Sequence, residues 1–155
     1  MSDFDFLKQY ITEPGMKIDS SKKHVFYRLS DEQIKEAEDR WGRKFPKELR
    51  NFFTEIGYGF VCHSFQSRFN RLMDPEGIVD FIFGEEFYAD DIRRDDYDQE
   101  NLLVFFEVSE ISCLTMDLDK ENGNGQCPIY YEDELIANSL EEFLIKMDQH
   151  SNYYR

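Results

Sequence analysis

At 155 residues the chain has room for one domain, and a chain of this size buries roughly 68–70% of the surface its unfolded form exposes, enough for a true core. With 41% hydrophobic and 16% aromatic residues it is too apolar for intrinsic disorder, despite 33% charged side chains. Its 33 acidic against 18 basic residues leave a net charge of −15, a field that repels nucleic acid and anionic membranes and speeds encounter with a basic protein, although an acidic surface also serves solubility alone.

Phe4, Leu7 and Ile11 share a helical face with Phe6 and Tyr10 beside them, which predicts a first helix near residues 3–11 that Glu13-Pro14-Gly15 ends. The start, Met1-Ser2-Asp3-Phe4-Asp5, is acidic and lacks a basic leader followed by an apolar run, so it does not read as a signal peptide. No apolar stretch approaches membrane-spanning length, and the expected location is the cytoplasm. Residues 16–28 read as a connector with an extended piece at Val25-Phe26-Tyr27.

The stretch from Leu29 to Val61 is the core-builder. Ser30 followed by Gln33 is a capping-box pattern, Ile34, Ala37 and Trp41 fall on one helical face, and Gly42 supplies a left-handed stop. Phe45-Pro46 opens a second helix, with Pro46 expected at its first helical position because that amide has no partner to lose. Leu49, Phe52, Phe53 and Ile56 complete an i, i+3, i+4, i+7 stripe, and Gly57 and Gly59 bracket Tyr58 before the chain turns extended.

Residues 60–65 and 69–73 read as extended, and Asp74-Pro75 as the cap and first residue of a short helix with a buried stripe of Ile78, Val79, Ile82 and Phe83, stopped by Gly84. Glu85 to Glu100 carries eight carboxylates against Arg93 and Arg94, with little to bury, and is expected on the surface. Leu102-Leu103-Val104-Phe105-Phe106 has the unbroken apolar run of a strand covered on both faces, whereas residues 111–118 alternate. Asn122-Gly123-Asn124-Gly125 signals a reversal into a returning strand at residues 126–131, with Pro128 at an edge or a strand start. Ser139 with Glu142 repeats the capping box, Leu140, Phe143, Leu144 and Met147 dock a closing helix, and the tail from His150 is expected to fray.

In this order the elements resemble the SUKH superfamily, which includes yeast cell-wall synthesis regulators and many bacterial immunity proteins. The resemblance rests on the helix ending near Trp41, the Phe45-Pro46 step (where the family usually has Leu-Pro), and the Phe-rich helix with its Gly-flanked exit. It continues in Arg71-Leu72-Met73-Asp74-Pro75-Glu76-Gly77-Ile78, in Pro128-Ile129-Tyr130-Tyr131, and in Asn138-Ser139-Leu140-Glu141-Glu142-Phe143-Leu144. It predicts an α+β fold: a single domain whose mostly antiparallel sheet is flanked by several short helices. Residues 1–28 belong to this domain as helix and connector, residues 29–149 form the SUKH-like core, and residues 150–155 the tail.

Local chemistry is sparse. Asp117 to Gly123 has the look of a calcium loop, but its glycine falls one place late and Pro128 occupies the position of the bidentate Glu. Cys62 and His63 are neighbours on opposite faces of a strand, wrong for joint ligation, and no phosphate-binding loop is present. No metal or cofactor is expected. The three cysteines, Cys62, Cys113 and Cys127, read as reduced thiols. His24, His63 and His150 lie beside no nucleophile elbow, and an enzyme is not expected, although a Cys–His pair assembled only by folding stays open.

What remains is recognition of a protein. Phe87, Tyr88 and Tyr97 are interleaved among the carboxylates of residues 85–100, combining aromatic anchors with charge for steering, and Tyr131 before Glu132-Asp133-Glu134 repeats the mixture. The candidate contacts are Glu85, Glu86, Tyr88, Asp90, Asp91, Asp95, Asp96, Tyr97, Asp98, Tyr131, Glu132, Asp133 and Glu134. The resemblance implies a non-catalytic, cytoplasmic partner of a toxin's C-terminal domain, often a nuclease, blocked stoichiometrically. Its alternative implication is a regulatory scaffold like the cell-wall regulators.

Overall fold

A computed structural model of the chain describes residues 3–19, 21–62 and 69–154. Its eight short strands follow chain order across one sheet: β1 (Ile11–Thr12), β2 (Val25–Tyr27), β3 (Tyr58–Phe60), β4 (Arg71–Leu72), β5 (Leu102–Glu107), β6 (Cys113–Asp117), β7 (Ile129–Tyr131) and β8 (Glu134–Ala137). Only β1 and β2 pair in parallel; every later neighbour is antiparallel. Among the described residues four α-helices accompany the sheet, α1 (Asp31–Trp41), α2 (Lys47–Glu55), α3 (Pro75–Phe83) and α4 (Leu140–Gln149), besides short 3-10 helices. The α+β architecture is the expected one.

Local signals account for the helical pair. The Ser30 hydroxyl accepts from the Gln33 amide while the Gln33 side chain accepts from the Ser30 amide, and Gly42 ends α1 at φ 81°. Pro46 proves to be the N-cap of α2 rather than its first helical residue. Leu49, Phe52, Phe53 and Ile56 are fully buried, and Phe52 meets Phe4 and Phe26 edge-on at 5.1 and 5.8 Å. At Gly59, φ 151°, a Cβ would run into the Val25 carbonyl, so the close approach of β2 and β3 requires glycine there.

Two carboxylates brace this unit, Glu48 tying it to α4 and Glu38 tying α1 to α2. Glu48 on α2 accepts from the amides of Leu140 (2.7 Å) and Glu141 (3.2 Å), so it joins Ser139 in satisfying the open N-terminus of α4. The reciprocal bond expected of Glu142 goes to the Asn138 amide, one residue ahead of the cap. Glu38 accepts from the Phe45 amide at 2.8 Å and pairs with Arg50.

Several expectations need correction. The first helix is a 3-10 helix over Asp5–Tyr10, and Ile11 leaves it to begin β1. In α3 the buried set is Ile78, Val79 and Phe81; Ile82 is half-buried, and Phe83 is exposed with the Arg40 guanidinium 5.7 Å from its ring. Strand β6 is buried at every position, because it lies between β5 and β7 and is covered on both faces. The unexpected β8 forms a hairpin with β7 through Glu132-Asp133, with Glu132 at φ 56°. The tail docks: Tyr153 donates to the Ile136 carbonyl at 2.9 Å, on edge strand β8, and Tyr154 packs edge-on against Tyr131. The expected extension of the third strand to Phe65, and His63 with it, lie outside the described residues. No helix of the described residues is long and apolar enough to cross a membrane.

Candidate functional site

The acidic segment is a folded strap. After Gly84 the chain makes two 3-10 helices, Glu86–Tyr88 and Ile92–Tyr97, and buries two residues that hold it down, Tyr88 (3% exposed) and Arg93 (4%). Both reach Glu107 at the end of β5. Tyr88 donates to Glu107 Oε1 at 2.9 Å, and Arg93 Nη2 donates to Oε2 at 2.8 Å. Arg71 lies directly opposite Glu107 in the β4–β5 register and adds a bond to Oε1 at 2.8 Å, so strand pairing itself sets up this ion pair.

Arg93 is nearly saturated. Its Nε and Nη2 bind the Asp91 carboxylate at 3.0 and 2.7 Å, and Nη1 donates to the Ser109 carbonyl at 3.0 Å. Burial works against its charge, but Asp91 and Glu107 outweigh burial and raise its pKa above the ordinary guanidinium value. The same bond from Arg93 holds Asp91 below the usual carboxylate range. Burial first, and the Glu107 charge second, push the Tyr88 phenol up, so it stays a neutral donor at physiological pH.

Beside this network lies a cleft of about 650 Å³, lined by Phe69, Arg71, Asp74, Gly77, Asp80, Phe87, Tyr88, Asp91, Arg93, Glu107 and Glu110. A groove of similar size, about 690 Å³, runs along α1 and α2, but its wall mixes Lys35, Arg43, Lys44 and Arg50 with Asp31, Glu38 and Asp39 and holds no aromatic ring. The first cleft combines aromatic and acidic character in the way a protein contact uses, and so does a smaller one of about 510 Å³ on the other side of the strap, where Trp41, Phe83 and Tyr97 meet Asp98 and Glu100.

Glu85, Glu86, Asp90, Asp95, Asp96, Asp98, Glu132, Asp133 and Glu134 face solvent, with Glu85 also paired to Arg40 at 2.9 Å. Burial, more than any neighbouring charge, pushes the Tyr97 phenol up. Tyr88, Asp91, Tyr97 and Tyr131 turn inward to varying degrees: Tyr88 to Glu107, Asp91 to Arg93, Tyr97 to the Cys113 backbone amide, and Tyr131 to Tyr154. Tyr88 is therefore corrected from an exposed anchor to a buried brace. The exposed ring is its neighbour Phe87, and the candidate contacts also omitted Ile92, Glu110 and Ile111. Ile92 could have been flagged, since it is an aliphatic residue set among charged ones with no periodic partner, whereas Ile111 was absorbed into the alternating run of residues 111–118.

Folding does bring a cysteine to a histidine, but not as a nucleophile pair. The Cys62 amide, not its thiol, donates to His24 Nδ1 at 2.9 Å, while the thiol faces the Met147 carbonyl and burial pushes it up to about 11. Cys113 and Cys127 are buried free thiols, pushed up to about 12 by the same cause. Among the described residues no group of three or more His, Cys, Asp or Glu is placed to hold a metal ion.

The sequence is similar to a protein of Bacillus subtilis (strain 168) named Immunity protein YxxD, with 40% identity over 140 residues that cover 88% of this chain and 92% of the relative. Residues 28–146, from the end of β2 into α4, match the SMI1 / KNR4 family (SUKH-1). The chain therefore belongs to the SMI1/KNR4 family (SUKH-1).

Proposed function

We propose that the chain is a cytoplasmic immunity protein that binds a cognate toxin domain, a nuclease, and blocks it by one-to-one association. The observation that carries this reading is the likeness, over nearly its whole length, to a relative named an immunity protein. The surface agrees with it physically: in a chain of net charge −15, the acidic strap is held rigid, so it meets a partner preorganised. Nucleases need cationic clefts for phosphate, and a fixed array of carboxylates competes for such a cleft as an anionic decoy. Glu86, Asp90, Asp95, Asp96, Asp98 and the turn Glu132 to Glu134 are the steering charges in this proposal, and they act mainly on the association rate. Co-expression with the cognate toxin domain, identified by capture on the tagged chain, tests it. Restored growth with a one-to-one complex in the lysate is expected; continued killing while the chain accumulates in soluble form would sink the reading.

A further inference from the structure

Of the large apolar residues exposed among the described residues, the three most exposed are Phe87 (86%), Ile92 (76%) and Ile111 (73%). All three belong to the two segments that Arg93 ties together. Phe87 and Glu110 border the cleft over Arg93, Ile92 immediately precedes Arg93, and Arg93 binds the carbonyl of Ser109, whose hydroxyl also accepts from the Ile111 amide at 3.2 Å. Exposed apolar groups so grouped, and rimmed by charge, mark contact sites rather than chance exposure.

The backbone supplies a second, independent sign. Glu86 sits at φ 50°, a left-handed conformation that a glutamate adopts only under constraint, and it leads directly into Phe87. Phe87 rests edge-on against buried Tyr88, with centroids 5.3 Å apart at 86°, so its ring is braced from behind while remaining open to solvent. Five carboxylates line the cleft against two guanidiniums. Both guanidiniums are committed to Glu107, Asp91 and Asp74, whereas Glu110 is exposed and has no hydrogen bond or ion pair among the described residues. The charge left over is negative.

We infer that the cleft beneath Phe87 receives a cationic side chain, an arginine or a lysine, from the basic partner, with the ring stacked over the cation and Glu110 closing on its charge. This rests on the immunity reading and specifies its anchor. Ile92 and Ile111, outside the cleft's lining, add exposed apolar surface on the segments beside it.

The test is calorimetric titration of the purified chain with the catalytically disabled toxin domain that it captures, at low and at physiological salt. Phe87→Leu keeps an apolar side chain but removes the π face, and is expected to weaken binding by about tenfold or more. Phe87→Trp, the better cation partner, should bind within about threefold of wild type, and Glu110→Gln should lose about threefold with a shallower salt dependence. Circular dichroism and thermal unfolding should be unchanged in all three, because these side chains are exposed. Phe87→Leu binding within about twofold of wild type, or Phe87→Trp as weak as Phe87→Leu, would overturn the cation site while leaving the immunity reading intact, provided the wild type protects. A wild type that neither binds nor protects would remove both. Sedimentation showing that the chain alone dimerises, and that Phe87→Leu abolishes the dimer, would assign the ring to a second copy and overturn the inference as well.

Discussion

The helical pair over residues 31–55 and the strap over residues 85–100 are both rich in charge, yet they are held by opposite means. In the pair, fully buried Leu49, Phe52 and Phe53 form the stripe that periodicity marks, and charged side chains stay at the surface or serve as caps. In the strap the buried groups are Tyr88 and Arg93, and what they reach is a carboxylate in β5. One element carries its instructions locally. The other depends on a partner in a strand fourteen residues beyond Arg93.

The sharpest way to break this comparison is at Arg93. Arg93→Ala leaves half-buried Asp91 without its cation and Glu107 with Arg71 alone, and should cost about 4 kcal/mol, since removing one partner of a buried ion pair strands the charge it held. Urea unfolding followed by circular dichroism measures it; a loss under about 1 kcal/mol would mean the strap is not held by this network. Leu49→Ala, in the helical pair, should cost about 3 kcal/mol through lost burial and the cavity left behind. The two differ in kind as well as size: a methionine at position 93 should not recover the stability lost there, whereas methionine at position 49 should recover most of it.

His24 offers a third, smaller contrast. It is fully buried, Nε2 facing Asp148 at 2.8 Å and Nδ1 accepting from the Cys62 amide, with Lys23 paired to Asp148 and Tyr10 packed edge-on against its ring. Burial lowers its pKa below 6.5, and the Asp148 interaction only partly offsets this. Between the folded pKa and 6.5 the unfolded chain binds a proton that the folded chain does not, so stability falls as pH drops through that window and is fully present above it. The slope from one such site is at most about 1.4 kcal/mol per pH unit. His24→Gln should remove this part of the slope, and chemical denaturation between pH 7.5 and 5 would show it; equal slopes in both proteins would contradict the assignment. The smallest effect is at Ser30, where Ser30→Ala should cost about 1 kcal/mol by opening the N-terminus of α1.

The same contrast explains what the sequence disclosed. The caps at Ser30, Asp74 and Ser139, the glycine stops at Gly42 and Gly84, and the apolar run of β5 are local patterns, and each took its expected place. Strand β8 was hidden because Glu134-Leu135-Ile136-Ala137 follows an acidic turn and pairs along one edge only. The tail was hidden because Tyr153 and Tyr154 find their partners in β8 and β7, not in their own helix. Tyr88 and Arg93 were illegible for the same reason: a run of carboxylates signals a solvated surface, and nothing within the run reveals that Glu107 waits in the sheet. The candidate site was legible as an acidic, aromatic-bearing stretch, while the choice of Phe87 over Tyr88 depended on a backbone turn at Glu86.

The central claim is that the strap, and not the helical pair, is the working surface. Hydrogen exchange of the chain, alone and in complex with the disabled toxin domain, addresses it most directly. The account predicts added protection for amides of residues 86–97 and 109–111, and for the turn around Glu132, with α1 and α2 unchanged. Protection concentrated on the groove along α1 and α2, with residues 86–97 exchanging as in the free protein, would contradict it.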